Sequence, residues 1–206
     1  MKTKTLLTTL GLTTLLLGTA HANQEQLAGS MKETRLEAGR TRDQLTATLA
    51  TLTALTKQEK GDLRPAYQAF TAEVPKIEAA AASTQARVAW MQGDGLKYFS
   101  GWQRTIDSIN NESLRKKSQK RLDATKKSYL KVMANFQEAA EKFQPFLADL
   151  GDIHKVLSTD LTASGVKGLR STVSDANWRF KAVNRTINDA LEEMQKMEKS
   201  LSTEAK

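Results

Sequence analysis

Cysteine is absent from the chain, and that excludes a disulfide scaffold, a thiolate metal site, a cysteine nucleophile and lipid attachment through an N-terminal cysteine. Histidine is nearly absent: His21 and His154 are the two in the sequence. A lone histidine on a helix cannot complete a metal site. The carboxylate pairs Glu138 with Glu141 and Glu192 with Glu193 lack the inward Glu-x-x-His spacing of di-iron bundles. Gly93-Asp94-Gly95 has no strand before it, so no phosphate-binding loop is expected, and no Ser or Thr sits in a recognisable nucleophile, base and acid set. The sequence therefore predicts no enzyme, no cofactor and no metal.

Proline is scarce as well. Pro65, Pro75 and Pro145 are the three prolines, aromatics make up 6% of residues, and charged residues make up 26%. This is the balance of a helix-rich protein. Its one long apolar run, Leu6 to Leu17, is far shorter than the roughly twenty residues a spanning helix needs. Lys2 and Lys4 precede it and Ala20-His21-Ala22 follows, the layout of a cleaved export signal. The expected division is a signal peptide at residues 1–22 and one helical domain at 23–206. The expected location is the periplasm, with secretion as the other destination.

What is present is periodicity. From Leu63 through Tyr67, Phe70, Val74, Ile77, Ala81, Thr84, Val88, Met91, Gly95, Tyr98, Trp102, Ile106 and Ile109, apolar or small seats recur at alternating steps of four and three. That is the seam of a coiled-coil-like helix. The pattern restarts after Asn110-Asn111, running from Leu114 by way of Leu122, Tyr129, Phe136 and Phe143 to Leu161. A weaker seam covers Leu27 to Leu55, with Thr34, Ala38 and Thr41 contributing little apolar area, and a fourth covers Val166 to Leu201. Gly61 suits the end of the first helix, Asp62 and Pro65 the start of the second, and Ser164-Gly165 the end of the third. Gly93 to Gly101 is the weakest helical stretch, each glycine costing on the order of 1 kcal/mol against alanine, which leaves room for a local hinge. The fold class is all-α: an elongated antiparallel four-helix bundle with a longer central hairpin, whose end, residues 97–127, projects as a tip.

The formal net charge is +8, and losing Lys2 and Lys4 with the leader lowers it to +6. Residues 97–127 carry nine bases against three acids, while the rest of the mature chain is balanced at twenty of each. The net charge therefore belongs to the tip. Candidate binding residues are Phe99, Trp102, Arg104, Arg115, Lys116, Lys117, Lys120, Arg121, Lys126 and Lys127, with Phe99 off the strict seam and so expected to be exposed. Clustered bases attract phosphates and anionic head groups, and aromatics prefer interfaces. The expected partner is an anionic membrane or envelope polymer. The alternative is an assembly module joining a second copy or another protein through its seam. Nucleic acid is not expected, because export separates the chain from it.

The run Glu112-Ser113-Leu114-Arg115-Lys116-Lys117-Ser118, then Leu122-Asp123-Ala124-Thr125-Lys126-Lys127-Ser128-Tyr129, followed by Met133, Glu138, Ala139, Pro145 and Leu150, resembles a bacterial family known as domain of unknown function 2959. Gly61-Asp62-Leu63 with Tyr67, and Phe99 with Trp102, are similar to its pattern too. The resemblance implies an exported helical protein of gammaproteobacterial type and no established activity. Many relatives are implied to carry a lipoprotein cysteine that this chain lacks. Ser158-Thr159-Asp160-Leu161-Thr162-Ala163 stands where the family tends to show Lys-His-Asn-Leu-Asn-Ala.

Overall fold

Long amphipathic seams need partners before they are stable in water, and here they find one another in an antiparallel bundle. The computed structural model describes residues 10–58 and 60–203, with side chains for 21–58 and 60–201. Its helices are α1 (Leu10–Lys57), α2 (Arg64–Asp107), α3 (Glu112–Thr159), a short α4 (Ala163–Gly168) and α5 (Arg170–Thr203), and no strand occurs among the described residues. The leader expected at 1–22 lies outside the described side chains apart from His21 and Ala22. The part of α1 beyond the expected leader, residues 23–57, and α5, with 34 residues, are both shorter than α2, with 44, and α3, with 48.

Turn chemistry sets the boundaries. Gly61 takes φ +94°, a conformation that suits glycine. The Asp62 carboxylate accepts from the Arg64 backbone N–H at 3.0 Å, and Pro65 sits in the first turn of α2. At the other end Asn111 caps α3, its Oδ1 accepting from the Leu114 N–H at 3.1 Å. The end of α3 comes earlier than Ser164-Gly165. Asp160 leaves helical geometry, the Thr162 hydroxyl donates to Asp160 at 2.6 Å, and its oxygen accepts from the Gly165 N–H at 3.0 Å. Ser164 and Gly165 therefore begin α4. A Cβ on Gly165 would run into the Asp160 carbonyl oxygen, so the joint needs glycine for space.

α2 runs unbroken through Gly93, Gly95 and Gly101, and both α2 and α3 continue through their internal prolines. The weakest helical stretch is therefore helix throughout. Gly95 serves a close approach. A Cβ there would lie 2.5 Å from the Tyr129 ring, whose hydroxyl donates to the Met91 carbonyl at 3.1 Å.

The four long helices do not pack equally. Of the neighbouring long helices, α1 and α2 make the most extensive contact, followed by α3 with α5 and α1 with α5, and α2 with α3 the least. Small seats explain the close α1–α2 pair. The Thr41 hydroxyl donates to the Ala80 carbonyl at 2.9 Å and lies 2.9 Å from the Thr84 hydroxyl. Thr34, fully buried, lies within 3.2 Å of the Arg87 carbonyl. Residues that looked like weak seam positions thus let the backbones approach and then bond across the gap. The apolar core runs the length of the bundle, from Leu27, Met31 and Leu201 to Leu55, Phe70 and Phe146.

Candidate functional site

The α2–α3 side of the bundle carries two features: a basic end and an apolar cleft. At the end, every residue from Asp107 to Lys117 is exposed apart from half-buried Ile109. Arg104, Arg115, Lys116, Lys117, Lys120, Arg121, Lys126 and Lys127 are all exposed. Lys116 pairs with Glu112 at 2.8 Å, one turn away on the same helix. The tip is tied internally by amides: Gln103 and Gln119 donate to each other's side-chain oxygens at 3.1 and 3.3 Å.

The two aromatic candidates belong to the core. Phe99 is buried, contrary to the exposure expected of it. Its ring packs 5.3 Å from Tyr129 and 5.1 Å from Tyr98. The reason is that α2 at this level touches two helices: Asn23 of α1 reaches Gly101 while Tyr129 of α3 reaches Gly95. A helix with neighbours on two sides buries a wider arc than a two-helix seam does. Trp102 is half-buried, and its indole N–H donates to the Ser118 hydroxyl at 3.1 Å. Both aromatics hold the hairpin together and leave the cations as its outward chemistry.

Below the tip the faces of α2 and α3 part, leaving a cleft of about 740 Å³. Its floor holds Leu45 of α1 and Ile187 of α5, and its walls hold Val88, Met133, Phe136 and Phe143. The lips are small or amide side chains: Ala82, Gln85, Ala89 and Gln92 on α2, Ala134, Gln137, Ala140 and Gln144 on α3. Among the lining residues one is charged, Glu78, at the end far from the tip. At the tipward end the buried Tyr129 ring packs against Gly95. Burial, with a smaller contribution from Asp94, pushes the Tyr129 phenol up to about 12, so it stays a neutral donor. Sequence periodicity identified these faces but not their separation. The available signal was Ala79 to Ala82 standing opposite Ala139-Ala140, with glutamines repeating every seven residues.

Nothing here assembles a metal site: among the described residues no group of three or more His, Asp or Glu could hold an ion. His154 stacks on Tyr67 with ring centroids 5.8 Å apart. Among the described residues, no helix is long and apolar enough to cross a membrane. A smaller cavity of about 460 Å³ lies at the other end of the bundle, between residues 60–64 and 161–163.

No curated protein matches the chain. A protein-family model described as "Protein of unknown function (DUF2959)" matches residues 18–201. With nearly the whole helical region covered by that match, the chain belongs to the DUF2959 family.

Proposed function

We propose that this chain is a non-enzymatic, exported binding protein that engages an anionic membrane surface through the basic end of its α2–α3 hairpin. The observation that carries the reading is the exposure of the cations from Arg115 to Lys127, in a segment holding the entire net charge of residues 23–206. Because Phe99 and Trp102 are occupied in packing, the contact is electrostatic and does not involve aromatic insertion. Each basic side chain near an anionic surface contributes on the order of 1 kcal/mol, and salt screens it.

The test is co-sedimentation with phosphatidylglycerol and phosphatidylcholine vesicles. Binding is expected to the first alone and to fall as salt rises. Reversing Arg115, Lys116, Lys117, Lys120 and Arg121 to Glu together is expected to remove it. Equal binding to both vesicles, or binding that survives the reversal, refutes the reading.

A further inference from the structure

The geometry points to a second site: the α2–α3 cleft receives one acyl chain of an anionic phospholipid, its head group lying at the tipward mouth. This rests on the proposed function in that the basic tip brings the protein to anionic lipid. The cleft itself is a separate observation.

Its size and lining suit such an occupant. A volume of about 740 Å³ lies within the roughly 300 to 1,000 Å³ of small-molecule sites, which are mostly apolar and often lie between the helices of a bundle. The walls on α2 run from residue 78 to 92, about 21 Å at 1.5 Å rise per residue. One leaflet's share of a roughly 30 Å hydrocarbon core is about 15 Å, so an extended acyl chain fits lengthwise.

The charge distribution sets its direction. An anionic head group is disfavoured beside Glu78, at one end of the cleft. Between the ends, the lips are alanines and uncharged amides. At the tipward end two large apolar side chains are exposed, Leu96 on α2 at 70% and Leu130 on α3 at 54%. Leu130 continues the lip line of Gln137 and Gln144 at seven-residue spacing, and Lys126 stands one turn further on, also exposed. Two further carboxylates flank this face: Asp94, paired with Lys97 at 3.5 Å, and Glu141, which accepts from Gln137 at 2.8 Å. Along the trough itself the order runs from Glu78 through apolar lining and apolar mouth to Lys126. A single-chain anionic amphiphile has the complementary order.

Two matched probes, palmitoyl lysophosphatidylglycerol and palmitoyl lysophosphatidylcholine, titrated below their micelle concentrations into the full chain, test this. The anionic probe is expected to bind with one-to-one stoichiometry and more tightly than the zwitterionic one. The double variant A82F/A140F fills the trough from two exposed lip positions. It is expected to weaken uptake about a hundredfold, equivalent to excluding three or four methylenes. A89F provides a second block should the double variant melt early. K126E is expected to weaken the anionic probe about tenfold and leave the other unchanged.

Failure of the anionic probe to bind, equal affinity for both probes, or affinity unchanged in the filled variants overturns the proposal. A doubled mass in solution that A82F/A140F abolishes also overturns it, assigning the cleft to a second copy. The two readings fail separately. Lost lysolipid uptake with retained vesicle sedimentation sinks the cleft alone, and retained uptake without sedimentation sinks the tip alone.

Discussion

Replacing Gly95 by alanine should destabilise the protein, although glycine inside a helix ordinarily invites the opposite result. Alanine gains about 1 kcal/mol over glycine in a helix interior. Against that, the new Cβ would stand 2.5 Å from both Cζ and Oη of Tyr129. The ring has little room to retreat, being buried, packed against Phe99 and bonded to the Met91 carbonyl. Overpacking costs roughly 1 to 3 kcal/mol, and losing the phenol hydrogen bond adds about 1 kcal/mol. The net expectation is a loss of about 1 to 3 kcal/mol, or roughly 2 to 12 °C in Tm for a chain of this size. Gly93→Ala is the control. Nothing lies within 4 Å of its added Cβ, so it should stabilise by up to about 1 kcal/mol. Thermal and urea denaturation of G95A, Y129L and the double variant measure the coupling. In the Y129L background G95A should turn neutral or stabilising. Additive effects, or a stabilising G95A in the wild-type background, would show that the ring is not what demands glycine there.

Burial raises the Tyr129 phenol from about 10 to about 12, so the folded state holds that proton more tightly than the unfolded state. Its contribution is fully present below pH 10 and is lost as pH rises from 10 to 12, by roughly 2 to 3 kcal/mol over that window. Denaturant midpoints measured across that range should fall in the wild type and fall less in Y129F. Asn111→Ala removes the cap on Leu114 and should cost about 1 kcal/mol, seen as a lower Tm that Asn111→Asp largely avoids. Thr41→Val keeps the shape but strands the Thr84 hydroxyl and the bond to Ala80. A loss of about 1 to 2 kcal/mol in urea unfolding is expected.

The helices were legible because their seams are dense. Leu63 to Ile109 and Leu114 to Leu161 repeat at threes and fours with few exceptions, and Gly61 and Asn111 mark turns whose chemistry is local. Two things were not legible, for different reasons. Phe99 sits one position off a two-helix seam, and its burial comes with packing on the Tyr129 and Tyr98 rings, a tertiary fact that periodicity does not encode. The cleft depends on distance. Val88 and Met133 occupy ordinary seam positions, and an apolar seat reads the same whether its partner is in contact or set back across a trough. The end of α3 was misplaced by a few residues because the stop lies in the side chains of Asp160 and Thr162, not in Gly165.

Because α1 grips α2, α3 grips α5, and α1 lies along α5, the molecule is built like a book. The spine is the α1–α5 contact, and the pages are the two helix pairs. The hairpin turn at Asn110-Asn111 binds the fore-edge, with Tyr129 on Met91, Trp102 on Ser118 and the Gln103–Gln119 amide pair as its clasps. Resistance to parting the pages is concentrated at those few ties and is not spread along a continuous seam. A change at the clasp would therefore be felt along the whole fore-edge, many turns from the residue altered.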